Sequence, residues 1–144
     1  MRASKKSRYG LRAMIYLAKV FKKGKPFPLK KIAQKEDIPF DYLEKIFSKL
    51  EKAGLVSAKK GIKGGYFLSL PPWKIKVGDV LRILEGTMAP VGCVAKEKDK
   101  RFFCPRKKTC KSFFVWKKVR DSLTSALSSI TLADLIRKKH AKEK

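Results

Sequence analysis

One stretch limits the folds open to this chain more than any other: Tyr42 to Leu68, reading YLEKIFSKLEKAGLVSAKKGIKGGYFL. Its first half repeats at helical spacing. Leu43, Ile46, Phe47 and Leu50 fall on one face, and Tyr42, Lys45, Ser48, Lys49 and Lys52 on the other, which predicts a helix over 39–53 with one buried stripe. Gly54 closes it, because a glycine just past the last turn accepts the left-handed conformation of a helix cap. The second half abandons that period. Two short apolar segments, Leu55 to Ala58 and Tyr66 to Leu70, flank KKGIKGG, which holds three lysines and three glycines. Gly61, Gly64 and Gly65 can take the positive φ that a tight hairpin tip needs. No Gly-Lys-Ser/Thr and no following helix accompany them, so a phosphate-cradling P-loop is not supported.

Upstream, SRYGLRAMIYLAKVF places Leu11, Met14, Ile15, Ala18 and Phe21 at helical spacing, and Gly24, Pro26 and Pro28 end that helix. PLKKIAQKEDI predicts a two-turn helix with Pro28 in its first turn. Glu36 and Asp37 then link it to the helix at 39–53 without a glycine. Two short helices so joined, the second polar and basic on its outer face, suit a helix-turn-helix. Taken alone they are better read as amphipathic helices packed on a core with a solvated charged face, since helical hairpins are common. A basic hairpin placed directly after them is a wing, and Lys59, Lys60 and Lys63 are positioned to reach phosphates or the minor groove.

Charge points the same way. The chain has 144 residues and a net charge of +25, from 37 basic against 12 acidic side chains. A compact fold with that excess repels itself, and a polyanionic partner such as nucleic acid relieves the repulsion. A lysine-rich solvated surface is the plainer reading of charge alone. The longest apolar runs, such as FFVW at 113–116, fall far short of the roughly 20 residues that cross a membrane. No signal-type apolar core follows the basic start MRASKKSRYG. Three cysteines, an odd number, argue against a secreted disulfide framework and for reduced thiols in the cytoplasm.

All three cysteines lie in CVAKEKDKRFFCPRKKTC, with ten residues between Cys93 and Cys104 and five between Cys104 and Cys110. Eight lysines or arginines stand in 93–111 against Glu97 and Asp99, a positive surrounding that favours thiolates. Beyond this loop a helix from Ser112 to Ser129 carries Trp116, Val119, Leu123, Ala126 and Ile130 in steps of 3, 4, 3 and 4. That seam predicts a homodimer, although a small winged domain also has room to bury part of it. Thr131 caps a last short helix with Asp134 three residues on. The tail after Arg137 is charged.

The stretch from Tyr42 to Leu68 resembles the signature of the IscR/NsrR family of bacterial winged-helix regulators. MRASKKSRYGLRAMIYLA resembles their first helix, IKVGDVLRILEG at 75–86 the helix after their wing, and ITLADLI at 130–136 their last short helix. The resemblance implies a mainly α fold with a small β wing: a winged helix-turn-helix over 1–86, a cysteine loop over 87–111, a dimerisation helix with the short C-terminal helix over 112–139, and a charged tail over 140–144. It implies a cytoplasmic homodimer, not an enzyme, that binds palindromic double-stranded DNA as a transcription regulator, here a repressor, and senses iron–sulfur, nitric oxide or redox status. By the same resemblance Asp41, Tyr42 and Glu44 stand where the family reads base edges, Lys60 enters the minor groove, and Lys45, Ser48, Lys49, Lys59 and Lys63 complete the DNA-binding set.

Cys93, Cys104 and Cys110 match the family's three cluster ligands in order, implying an iron–sulfur cluster, 2Fe–2S in preference to 4Fe–4S. The ten-residue gap is longer than the family's. The fourth ligand departs from the pattern: Phe113 stands where IscR-type proteins have histidine, and Arg8 where NsrR-type proteins have an acid. Glu97, Asp99, His140 in the tail, or an external ligand remain. A thiol-only redox switch, a zinc site, or no function at all are the other readings of these cysteines, and closed structural zinc sites want four protein ligands. A general RNA-binding protein is the alternative from another class, without the stacking aromatics of an RRM.

Overall fold

In the computed structural model, which describes residues 1–96 and 103–137, Leu43, Ile46, Phe47 and Leu50 are each no more than 2% exposed. They are the inner face of a helix, α3 (Phe40–Lys52), and burying one such side chain is worth about 2 kcal/mol. Around them pack α1 (Lys5–Lys19), α2 (Leu29–Glu36) and α4 (Val77–Glu85), with a hairpin of β1 (Val56–Lys59) and β2 (Gly65–Leu68) following α3. Two further helices, α5 (Phe113–Ser128) and α6 (Leu132–Arg137), come after the cysteine loop. The fold is mainly α with a small β wing, a winged helix-turn-helix carrying a long C-terminal helix. No helix among the described residues is long and apolar enough to cross a membrane.

The turn between α2 and α3 works without glycine because Asp37 itself adopts the left-handed conformation, at φ 52°, which aspartate tolerates better than most residues. Ile38 then sends its N–H back to Ala33 O at 2.9 Å and buries its side chain. Glu36, expected in the linker, is the last residue of α2. At the other end of α3, Gly54 is left-handed at φ 85° and Leu55 N–H reaches Leu50 O at 3.0 Å. This is the cap expected from the sequence.

The face of α1 differs from the expected stripe. Ser7, Gly10, Ala13, Met14, Leu17 and Ala18 are buried, whereas Leu11, Ile15 and Phe21 pack only partly buried at the edge of the core. Small residues face inward because the helices cross so closely. A methyl group at Gly10 would stand 2.3 Å from Leu84 Cδ1 and 3.1 Å from Ile46 Cγ2.

The hairpin is antiparallel, with Val56 opposite Leu68 and Lys59 opposite Gly65. It has a third contributor. Phe27, between α1 and α2, exchanges both backbone hydrogen bonds with Tyr66, at 2.8 and 3.0 Å. Gly65 permits this: any β-carbon there would lie 2.2 Å from Phe27 O.

The C-terminal segment returns to the same core. Val77 N–H donates to Ile130 O at 2.9 Å and Leu132 N–H to Ile75 O at 3.0 Å. Leu132 is wholly buried. Thr131 and Asp134 cap α6 reciprocally: Thr131 N–H to Asp134 Oδ2 at 2.9 Å and Asp134 N–H to Thr131 Oγ1 at 3.1 Å. Between these anchors α5 buries none of its residues. Trp116, Val119 and Ile130 are half-buried, and Leu123 and Ala126 are exposed. The tail over 140–144, with His140, lies outside the described residues.

Candidate nucleic-acid interface and cysteine loop

With the apolar face of α3 in the core, its remaining residues have to face outward. Asp41, Glu44, Lys45, Ser48 and Lys49 are all exposed. Four of them, Asp41, Glu44, Lys45 and Ser48, line one open groove together with Tyr66 of β2. Tyr42 is only half-exposed and meets the ring of Tyr9 edge-on, with centroids 5.7 Å apart, so it also spaces α1 from α3. The groove combines pure acceptors with a hydroxyl and an ammonium group. Carboxylates such as Glu44 accept from base amino groups and repel phosphates, so they select for base edges, while the lysines beside them select for backbone.

Tyr66 is a groove residue that reading the sequence as strand pattern alone passed over. Its ring packs edge-on against Phe47 at 5.1 Å. Burial, followed by the charges of Glu51 and Glu44, pushes its phenol up, so it stays a neutral donor and acceptor at neutral pH. The signal was present in the alternation of the strand, which turns Tyr66 toward α3 next to an inward Phe47.

The wing presents Lys59, Lys60 and Lys63 to solvent. Its tip closes tightly, with Gly64 N–H on Gly61 O at 2.9 Å and Gly61 at φ 113°. A β-carbon at Gly64 would lie 2.2 Å from Lys59 O. Ile62 at the tip is fully exposed.

Cys93 sits in a short 3-10 turn, Gly92–Val94, after α4. Val94 is buried there and its carbonyl accepts from Arg120 Nη1 of α5 at 2.7 Å, which ties this end of the loop to the long helix. Cys104 and Cys110 flank a tight turn in which Cys110 N–H returns to Arg106 O at 2.9 Å. All three cysteines are free and half-buried. Among the described residues no three His, Cys, Asp or Glu side chains converge as metal ligands. Phe113, in place of a histidine, opens α5, and Arg8 is exposed on α1. Glu97 and Asp99, the loop carboxylates considered as ligands, lie outside the described residues.

Cys110 is chemically distinct. Its Sγ lies 3.0 Å from Ser112 Oγ. The Ser112 hydroxyl, then the Ser112 backbone, with help from Phe113 N–H and the charge of Arg106, hold the thiol below its ordinary value against a small opposing effect of burial. The thiolate is the reactive and metal-ligating form.

Comparison with known proteins agrees with this architecture. A family profile described as Rrf2, iron-dependent transcriptional regulator, matches residues 3–138. The HTH-type transcriptional regulator CymR of Bacillus subtilis (strain 168) is 41% identical over 135 residues, covering 94% of this chain and 89% of that protein. The HTH-type transcriptional regulator IscR of Enterobacter sp. (strain 638) is 35% identical over 136 residues, covering 94% and 80%. Among solved structures, that of CymR (YrzC), described as the global cysteine regulator of B. subtilis, superposes with a TM-score of 0.73 at 39% identity, covering 95% of this chain and 97% of that one.

Proposed function

This chain belongs to the Rrf2 family of transcriptional regulators, and we propose that it is a homodimeric, sequence-specific DNA-binding repressor that answers to thiol redox state through its cysteine loop. The observation that carries the DNA-binding part is the groove in which Asp41, Glu44, Lys45, Ser48 and Tyr66 stand together beside a basic wing. In this reading α3 of each protomer enters a major groove and Lys59, Lys60 and Lys63 flank it. A two-fold dimer then reads a palindrome with half-sites about one helical turn apart. The unburied face of α5 supports the pairing of two chains. Its relatives are transcriptional regulators rather than enzymes.

Redox sensing by a free thiol is supported by the environment of Cys110 and by the likeness to a protein described as a cysteine regulator. A ligand or modification changes DNA affinity only through a difference in free energy between two arrangements of the dimer. The loop, tied to α5 by Arg120 and Val94, is where such a difference enters. The second reading is an iron–sulfur cluster on Cys93, Cys104 and Cys110, supported by three thiols in one loop and by the likeness to IscR. The test selects duplexes from a random pool with reduced protein, then compares footprints before and after mild oxidation. Recovery of one palindrome whose protection changes on oxidation is expected. Equal binding to duplex DNA and RNA of any sequence would overturn the reading. Uptake of iron and sulfide on anaerobic reconstitution, with visible charge-transfer bands, replaces the thiol sensor with the cluster.

A further inference from the structure

The start of α4 abuts the end of α5. A β-carbon at Gly78 would lie 3.3 Å from Ser128 Oγ and 3.4 Å from the Leu127 carbonyl carbon. At that contact lies a cleft of about 90 Å³. Arg82 lines it from α4, Arg120, Thr124 and Ser128 from α5, and Lys96 from the cysteine loop between them. Met88 and Leu127 give it an apolar wall. None of the described residues that line it is acidic. Few polar groups on an apolar wall is the usual make-up of a small-molecule site.

The Arg120 side chain is only 15% exposed. Its Nε and Nη2 donate to Asp121 Oδ1 at 2.9 and 2.7 Å, and its Nη1 to Val94 O at 2.7 Å. A guanidinium has five N–H donors, so these bonds to described residues leave one on each terminal nitrogen. Arg82 Nη2 donates to Asp79 Oδ1 at 3.0 Å. Among the described residues, salt bridges thus match Arg82 with Asp79 and Arg120 with Asp121, and none involves Lys96. Three positive charges stand at the cleft against two negative ones. A charge withdrawn from water calls for a partner, and one further negative charge completes the balance.

We propose that this cleft binds a small carboxylate of the size of acetate or propionate, and that the bound carboxylate clasps the cysteine loop to α5. Size argues for a molecule this small, since an engineered cavity of about 150 Å³ takes benzene. Charge argues for a carboxylate, with its single negative charge, over a phosphate, which carries closer to two. Arginine matches the geometry of a carboxylate, and the hydroxyls of Thr124 and Ser128 are further donors. Met88 and Leu127 receive the alkyl end. Lys96 lies two residues past Val94, whose carbonyl Arg120 already holds, and three past Cys93. A ligand on Lys96 and Arg120 together therefore adds a second tie between this end of the loop and α5. The site stands apart from the DNA-binding reading, and only its consequence for regulation rests on it.

The test titrates the full reduced chain with sodium propionate at constant ionic strength, sodium chloride making up the balance, and follows backbone amide resonances. Saturable shifts at millimolar propionate, centred on Gly78, Lys96 and Thr124, are expected. Arg82→Gln and Lys96→Gln, both at exposed positions, should each raise the half-saturating concentration at least threefold with the helical circular dichroism intact. Shifts that equal chloride reproduces, or that both variants leave unchanged, overturn the site. Tighter binding of inorganic phosphate than of propionate overturns its assignment to a carboxylate. The clasp has its own readout. With Cys104 and Cys110 replaced by alanine, saturating propionate should slow alkylation of Cys93 by iodoacetamide at least threefold, and Lys96→Gln should remove that protection. An unchanged rate in the presence of bound propionate overturns the clasp. Neither readout involves DNA, so failure here is distinct from a wild type that selects no duplex, which sinks the DNA-binding reading instead.

Discussion

Cys110 Sγ lies 3.0 Å from Ser112 Oγ, at the point where the cysteine loop passes into α5. Ser112 holds the N-cap position yet makes no capping bond with its side chain, so its hydroxyl is committed to the sulfur. A lowered thiol pKa means a larger thiolate fraction at neutral pH, and so a faster reaction with electrophiles. With Cys93 and Cys104 replaced by alanine, Ser112→Ala should move the midpoint of the Cys110 alkylation rate, measured with iodoacetamide against pH, to higher pH. The helix should be unaffected by circular dichroism. A midpoint that stays in place would show that Ser112 is not what eases the thiol.

Glu44 shares its groove with Lys45 and Tyr66. A carboxylate there accepts a hydrogen bond from a cytosine amino group and disfavours bases that offer only acceptors. Glu44→Ala should relax the preference at one base position, worth about 1–3 kcal/mol of discrimination, more than it lowers overall affinity. Lys60→Ala should weaken binding to every duplex and flatten the salt slope by about 0.9 for each phosphate it had neutralised. Competition binding with single-base variants of the selected duplex separates the two. Equal loss across all variants for Glu44→Ala would remove it from base reading.

Much of this architecture was legible because its elements are set by local chemistry. The stripe of α3, the glycine caps, the basic hairpin and the Thr131–Asp134 cap each depend on residues within a few positions of one another. The face of α1 was not, because a hydrophobic pattern gives weight to Leu11, Ile15 and Phe21 and none to Ser7, Gly10 and Ala13. Which of two faces turns inward there is decided by how closely α4 and α3 approach, and that is a property of the assembled helices. Contacts across long separations were equally hidden: Phe27 with Tyr66, Ser7 with Glu85, Arg120 with Val94. In the cysteine loop the order of the three thiols was plain, but order does not place three sulfur atoms around one point.

Gly10 sits where α1 crosses Leu84 and Ile46. Alanine is the better helix former, by about 1 kcal/mol. Against this, a β-carbon 2.3 Å from Leu84 Cδ1 forces a buried side chain aside, and overpacking of this kind costs about 1–3 kcal/mol. Gly10→Ala should therefore lose about 1 kcal/mol in urea unfolding. A gain in stability would mean that Leu84 swings away freely and that the crossing is looser than its geometry.

Leu123 lies exposed on α5, where no residue of the helix is buried. If two chains pair along this helix, the leucine is covered in the dimer, and Leu123→Lys places a charge in that seam at a cost the pair cannot recover. The variant should run as a monomer or aggregate in light scattering, and its affinity for a palindromic duplex should fall well below that of the wild type. Retention of a stable dimer would move the interface elsewhere.

Thr131 and Asp134 satisfy each other's backbone N–H groups at the start of α6, and the residues on either side hold the C-terminal segment to Ile75 and Val77. Thr131→Ala should cost about 1 kcal/mol, as loss of an N-cap does, and should speed hydrogen exchange at Leu132 before it affects the rest of the core. Asp134 adds a pH dependence. The Thr131 N–H first, then Arg137 and the Thr131 hydroxyl, hold its carboxyl below the ordinary value against a slight effect of burial. A carboxyl depressed in the folded state contributes stability that is fully present above its unfolded value, about 3.9, and is lost as pH falls through the folded value. The stability difference between wild type and Asp134→Asn, measured by urea unfolding, should therefore hold steady from neutral pH down to about 5 and shrink once the pH drops below the unfolded value. A difference that stays constant through the acid range would show that the charge on Asp134 contributes nothing and that only the shape of the cap holds α6.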